Sequence, residues 1–204
     1  MNTLEHLFCS SSLWQRMSQR YVLPWVLSGA RLGEHVLEIG AGYGAATRQL
    51  LQLTSRVTAL EYDKNAILHL KARHGEPEVA PLCGDAARLP FADQSFSSVV
   101  AILVLHHLRS REAQDRAFAE AQRVLRPGGS LFAAEINDGW MNRLVHYKST
   151  FTPLAPSSVF ARLTAAGFSR VSVDFRGGGF RIRARKAAET SSKPRVLVAS
   201  SAMA

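Results

Sequence analysis

Residues 36–44 read Val-Leu-Glu-Ile-Gly-Ala-Gly-Tyr-Gly, an apolar run that carries one acid and passes straight into a glycine loop. No other segment restricts the fold as much. Val36, Leu37 and Ile39 suit a parallel strand buried on both faces. Gly40, Gly42 and Gly44 let the backbone turn sharply and let a ligand approach where a Cβ would clash. The following stretch predicts a helix over 45–53, whose free N–H groups point back at the loop and favour an anion there. Strand, turn and helix start together make a pocket for a nucleotide-like cofactor. The loop alone leaves the cofactor open. Gly40-x-Gly42-x-x-Ala45 also satisfies the dinucleotide fingerprint, with Glu61 at the distance expected for a ribose 2′-hydroxyl contact. A tight turn without any ligand satisfies it as well.

Strand and helix patterns alternate along the chain. Strands are predicted over 36–39, 56–61, 78–82, 98–105 and 130–135, and helices over 12–27, 45–53, 65–74, 111–125 and 157–166. Such alternation implies a mainly parallel sheet with helices on both faces. Pro24 is expected to limit or kink the first helix. Pro127-Gly128-Gly129 is expected to end the helix before the fifth strand. Two last strands, 171–175 and 180–184, flank Arg176-Gly177-Gly178-Gly179 as a hairpin. The first helix and the irregular 137–156 segment, with room for a turn or two of helix, lie outside the alternation and are the natural lid elements. The expected organisation is a helical lid segment over 1–30, a domain over 31–186 and a tail over 187–204.

At 204 residues, 47% hydrophobic and 20% charged, the chain suits one globular domain with a full core. Its longest apolar run, Val99 to Leu105, is far short of a membrane span. The first residues lack a basic n-region and a long apolar core, which argues against a secretory signal. Cys9 and Cys83 form neither a disulfide framework nor a zinc site, and no metal set is expected. A cytoplasmic enzyme fits these features. The net charge of +9 is uneven: residues 1–139 hold 14 Lys/Arg and 14 Asp/Glu, and residues 140–204 hold 11 Lys/Arg against Asp174 and Glu189. Arg176, Arg181, Arg183, Arg185 and Lys186 are the densest part. They read either as an attractor for an anionic partner or as a solvated strand face. No aromatic-interleaved basic motif marks nucleic acid.

Taken in order, the motifs resemble the class I S-adenosylmethionine-dependent methyltransferases, most closely the methyltransferase type 11 group. The resemblance covers roughly 32–186. It rests on Val36–Gly44, on Val57-Thr-Ala-Leu-Glu61-Tyr62-Asp63, and on Gly84-Asp85-Ala86-Ala87-Arg88-Leu89-Pro90-Phe91 followed by Asp93-x-Ser95-Phe96. Leu105-His-His-Leu108, Arg123-Val-Leu-Arg-Pro-Gly-Gly129, Ala165-Ala-Gly-Phe168 and the closing hairpin complete it. A nicotinamide enzyme needs neither the acid followed by Leu-Pro-Phe nor the closing hairpin. The group often carries an acid where this chain has Ser97, and a smaller residue where it has Tyr43.

The resemblance implies an α/β, Rossmann-like, doubly wound seven-stranded sheet, mostly parallel with an antiparallel last strand, in the order 3-2-1-4-5-7-6. It implies S-adenosylmethionine as cofactor. Glu61 would take both ribose hydroxyls, and Tyr62 would lie on the adenine face with Leu89 across from it. Asp85 and the Ala86 N–H would meet the adenine edge. Glu38 and the backbone at Gly40 and Gly42 would hold the methionine end, and the Ala101 carbonyl would orient the ammonium. His106 and His107, just after the fourth strand, are the candidates for a catalytic base, since histidine titrates in the useful range. His146 and Tyr147 are further candidates, and Trp14, Trp25 and Trp140 could shape an apolar pocket. The expected acceptor is a small molecule. Asn/Asp-Pro-Pro-aromatic and Pro-Cys motifs are missing after strand four, which disfavours amino methylation of adenine or glutamine and cytosine C5 chemistry. Alternatives are a non-catalytic cofactor-binding scaffold, or a methyltransferase that reaches an anionic lipid or RNA through the basic carboxy-terminal part. The oligomeric state is left open.

Overall fold

The computed structural model describes residues 11–73 and 77–189. Its sheet has seven strands in the order β3-β2-β1-β4-β5-β7-β6. These are β1 His35–Ile39, β2 Arg56–Glu61, β3 Val79–Cys83, β4 Phe96–Ile102, β5 Leu125–Ile136, β6 Phe168–Arg176 and β7 Gly179–Lys186. The first five pair in parallel, and β7 runs antiparallel between β5 and β6. This is the arrangement the motifs implied.

The period-2 alternation of strands divides the core between the two sheet faces. Leu37, Ile39, Val99, Ala101, Leu131 and Ala133 pack with Phe118, Val124, Leu163, Phe180 and Ile182. Val36, Val57, Val100, Phe132 and Ala134 pack with Leu23, Val26, Leu27 and Leu50. The first face is covered by α5 Arg111–Val124 and α7 Pro156–Ala165, the second by the amino-terminal helix and α3 Thr47–Leu50. On α5 the buried residues Gln114, Ala117, Phe118, Ala121 and Val124 keep the helical spacing, and Ser110 Oγ caps the start by accepting from Ala113 N at 3.2 Å. On α4, Lys64–Arg73, Asp63 Oδ1 takes Asn65 N at 2.7 Å and Ala66 N at 3.2 Å.

The first helix keeps nearly its expected span and is distorted just before Pro24, while several other boundaries differ from the sequence expectation. The chain runs from α1 Ser12–Met17 through a widened π-type turn, Ser18–Val22, into α2 Leu23–Val26. The wider turn absorbs the bond that proline cannot donate. The helix expected over 45–53 shrinks to α3, because no side chain caps Ala46 and the last turn tightens into Gln52 N to Gln49 O and Leu53 N to Leu50 O bonds. Pro127-Gly128-Gly129 lies inside β5, where register slips from Phe96 opposite Leu125 to Ser98 opposite Ser130. Strand four stops at Ile102, and residues 105–107 form a short 3-10 turn. In the 137–156 segment the expected helical turns appear as α6, Trp140–Val145. His74 and most of the expected tail, from 190 onward, lie outside the described residues, as do positions 1–10 of the expected lid.

The basic strand β7 is largely engaged within the chain. Arg181 pairs with Asp174 at 3.0 Å and donates to Trp25 O at 2.5 Å. Arg183 donates to Val26 O at 3.1 Å and Ser28 O at 2.6 Å. Arg185 reaches Gly128 O at 3.1 Å, and Lys186 reaches Gln122 O at 2.9 Å. Arg181 and Arg183 thus clasp the end of α2, where carbonyls lack helical partners, while Arg185 and Lys186 fasten β7 to β5 and the end of α5. Among the described residues no helix is long and apolar enough to cross a membrane.

Candidate functional site

In this strand order the winding direction reverses between β1 and β4, and a crevice opens outside the carboxyl ends of the strands there. The glycine loop follows β1 into that crevice. Gly40, at φ +74°, is packed so closely that a Cβ would run into the Val104 side chain. Gly42, at φ +52°, faces open space, with nothing within 4 Å of a Cβ built there. One glycine permits the turn, and the next leaves a backbone cradle.

The anion at this loop is the chain's own. Glu61 ends β2, and its Oε2 accepts Gly42 N at 2.8 Å. Its Oε1 accepts Tyr62 N at 2.8 Å and Asp63 N at 2.9 Å. The first two motifs are thus joined by one carboxylate, and α3, a single turn, is too short to supply a dipole site of its own. Tyr62 lies beside it, 65% exposed, with its hydroxyl 3.4 Å from Arg109 Nη2.

Glu38 sits lower. It is buried beneath the loop, and its Oε2 accepts the Thr47 hydroxyl at 2.6 Å. Burial pushes its carboxyl up to about 8, and the nearby Glu61 adds to the rise, while the Thr47 bond opposes it. At neutral pH Glu38 is therefore mostly protonated and holds the loop from below.

Asp85 follows β3 on an exposed turn, where its Oδ1 accepts Ala87 N at 2.8 Å and its carbonyl accepts Arg88 N at 3.0 Å. Ala86 is half-buried next to it. Leu89, expected at an adenine face, is 4% exposed and belongs to the core. Glu120 and Arg123 on α5 fasten this loop: Glu120 Oε2 takes Leu89 N at 2.7 Å, and Arg123 donates to Leu89 O, Phe91 O and Asp93. Ser97 ties down the start of β1, accepting His35 N at 3.0 Å. Ala101 is buried near the end of β4, paired with Ile39 and Ala133.

Beyond β4 the backbone is strained. Leu103 has φ +52°, an uncommon conformation for a non-glycine residue that clusters at functional sites. It is held by Glu135, buried at the end of β5, whose Oε1 accepts Val104 N at 3.1 Å and Leu105 N at 2.7 Å. Glu135 Oε2 lies 2.5 Å from His106 Nδ1. His106 is itself buried, and His107 is half-buried beside it. His146, at the end of α6, joins them: one ring nitrogen from each of the three lies within 4.8 Å of the other two. Gln114 fixes the flanking segment by donating to Leu105 O at 3.1 Å and Thr152 O at 2.7 Å. Trp140, Met141, Leu144 and Tyr147 on and just after α6 are exposed. Trp25, in contrast, lies under Arg181, 5.5 Å from guanidinium to ring centre.

The structure thus groups Gly40, Gly42, Glu61 and Tyr62 around the loop, with Asp85 and Ala86 on the next turn. His106 and His107 stand after β4, towards β5. Sequence reasoning missed Glu135, Thr47, Glu120 and Gln114. The only sequence signal for Glu135 is an acid inside the apolar run Leu131-Phe-Ala-Ala-Glu135-Ile.

Residues 37–133 match the family model for a methyltransferase domain. The demethylmenaquinone methyltransferase of Beutenbergia cavernae is 37% identical over 109 residues, 53% of this chain and 43% of that protein. The probable tRNA methyltransferase 9B of Bos taurus is 31% identical over 157 residues, 77% of this chain and 32% of that protein. The chain spans less than half the length of the curated relatives it matches. The solved structure of a SAM-dependent methyltransferase from Methanosarcina mazei shares the fold with a TM-score of 0.66 at 22% identity, covering 81% of this chain and 98% of that one.

Proposed function

We propose, with a class I S-adenosylmethionine-dependent methyltransferase domain as the premise, that this chain moves a methyl group to a small, largely apolar acceptor. The observation that carries the reading is the carboxylate of Glu61 bound to the N–H of Gly42, beside a glycine whose outer face is open. A carboxylate with acceptor capacity for hydroxyl donors and a cradle that a Cβ would fill fit a ribose and an amino-acid chain.

The residues present suit that cofactor. Glu61 would hold the ribose, Tyr62 would cover one face of the adenine, and Asp85 with Ala86 would meet its edge. Gly40, Gly42 and the Ala101 carbonyl would line the methionine end, with protonated Glu38 bracing the loop through Thr47. When bound, S-adenosylmethionine supplies a methyl group on a sulfonium whose positive charge is lost on transfer. The chain's contribution is alignment and exclusion of water, which favour a charge-dispersing displacement.

His106 and His107 would line the acceptor side, held in place by Glu135 and the Thr150 carbonyl. The exposed side chains of Trp140, Met141, Leu144 and Tyr147 offer an apolar body a surface next to them. Arg181, Arg183, Arg185 and Lys186 each spend donors on groups inside the chain, which leaves fewer of them to grip RNA or lipid phosphates and supports the small-molecule acceptor. The segment 12–22 would close over the site, since Gln19 already donates to Ala45 O at 3.4 Å at the loop.

The test is label transfer from methyl-labelled S-adenosylmethionine into a cell extract separated into small-molecule, lipid, RNA and protein fractions. Label in the small-molecule fraction is the expected result. Label in RNA or protein overturns the acceptor class. Binding of S-adenosylhomocysteine without transfer to any fraction favours a scaffold.

A further inference from the structure

Three of the chain's seven histidines meet at one point, although His146 lies far along the sequence from His106 and His107. Ring centres are 4.2 Å apart for 106 and 107, 5.0 Å for 106 and 146, and 5.3 Å for 107 and 146. Each ring also has Nδ1 against an oxygen. The partners are Glu135 Oε2 at 2.5 Å for His106, Thr150 O at 3.4 Å for His107, and Asn142 O at 2.7 Å for His146. A carboxylate or a carbonyl accepts, so Nδ1 carries the proton in all three rings, and the lone pair resides on Nε2. Outer partners of this kind orient histidines in metal sites and raise the basicity of the ligating nitrogen.

We infer that His106, His107 and His146 together bind one zinc-class divalent cation through their Nε2 atoms, with a fourth position open to water or an acceptor oxygen. Three neutral imidazoles suit a borderline-soft cation, and a three-protein-ligand set with an exchangeable fourth position is the pattern of catalytic zinc. Magnesium and calcium require oxygen ligands that this set lacks. Tetrahedral coordination at ~2.0–2.1 Å places ligand nitrogens roughly 3.3 Å apart, and one ring nitrogen of each histidine already lies within 4.8 Å of the other two, so the rings must draw closer to share one ion. Phe151 stacks on His146 with centres 4.5 Å apart and meets His106 edge-on, which gives the site an apolar wall. His107 is the most exposed of the three, so exchange occurs on its side.

Cation binding stands on the histidine geometry alone. Its use, to hold an acceptor hydroxyl and make it easier to deprotonate, rests on the methyl-transfer reading.

The full untagged chain, freed of metal with a chelator, is titrated with Zn2+ by calorimetry and with Co2+ by visible absorption. The expected result is one ion per chain, a tetrahedral Co2+ band, and no comparable binding of Mg2+. His107→Ala and His146→Ala should each reduce Zn2+ affinity by more than the roughly 10–100-fold expected from losing an outer partner, and Glu135→Gln should fall within that range. Absence of one-to-one Zn2+ binding overturns the inference. So does Zn2+ affinity unchanged in the double variant His107→Ala/His146→Ala. S-adenosylhomocysteine binding, measured on the same samples, reports folding and the cofactor reading separately. If it persists while Zn2+ fails to bind, only the cation site is lost; if it is absent while Zn2+ binds, only the cofactor reading is lost.

Discussion

Along the carboxyl edge of the sheet, the glycine-loop side and the histidine side are assembled by different means. The loop side is mostly backbone: Gly40 turns, Gly42 leaves space, and the carboxylate of Glu61 on the adjacent strand receives the N–H groups of Gly42, Tyr62 and Asp63. Nearly all of it comes from two short segments, 36–44 and 61–63. The histidine side is mostly side chain. Its parts come from the β4 turn, the end of β5, the end of α6 and the Thr150–Thr152 segment, with Gln114 behind them, its Oε1 accepting Arg162 Nη1 at 3.0 Å. A backbone device tolerates side-chain variation and fails when a Cβ or a strand register changes. A side-chain device tolerates little variation at any member, and can change its chemistry without changing the fold.

Variants at the two sides separate these behaviours, and they are taken here in order of falling effect. Gly40→Ala should be the most damaging, because the positive φ and the clash with Val104 act together; a loss of about 2–5 kcal/mol is expected by chemical denaturation. A wild-type midpoint would show that Val104 moves aside freely.

Glu38→Gln should have the opposite sign. Because its carboxyl is raised to about 8 in the folded chain, folding retains a proton that the unfolded chain releases from about pH 4.5 upward. Stability from this group therefore falls as pH rises between about 4.5 and 8, and is level beyond it. Glutamine mimics the protonated form, so the variant should gain on the order of 3 kcal/mol at pH 7 and lose this pH slope. Parallel stability–pH curves for variant and wild type would refute it.

Glu61→Ala should lower S-adenosylhomocysteine affinity by about 100-fold, the loss of two charge-assisted hydrogen bonds, as read by calorimetry. Unchanged affinity would remove the cofactor assignment. His107→Gln should leave that affinity alone and slow methyl transfer to the identified acceptor by about 100-fold. A matching fall in cofactor affinity would erase the distinction between the two sides. The smallest effect is expected for Gly42→Ala: about 1 kcal/mol of stability, but a measurable weakening of cofactor binding that Gly40→Ala, once folded, would show less directly.

How much could be read in advance follows the same division. Glu61, Tyr62 and Asp85 stand at strand ends, and their neighbours in sequence are their neighbours in space, so local order was enough to place them. Strand order came from the family resemblance instead, since β1 beside β4 and β5 beside β7 are not neighbours in sequence. Glu38 shows what local order leaves out: its place in the first motif suggests a ligand contact, and the structure adds a buried partner, the Thr47 hydroxyl, nine residues on. The helix over 45–53 was overextended because propensity does not register an uncapped start. Arg181 and Arg183 could be counted but not assigned, since their partners, the carbonyls of Trp25, Val26 and Ser28, lie some 155 residues earlier.

The amino-acid sequence by itself determined the sheet, the turn that opens the crevice and the acids that border it. Each depends on periodicity or on glycine conformation, which are properties of a few adjacent residues. The tertiary structure alone decided that burial raises the Glu38 carboxyl, that the basic strand is fastened to remote carbonyls, and that three histidines meet in front of Glu135. Those outcomes depend on burial and on distances between remote segments, and no local pattern encodes either.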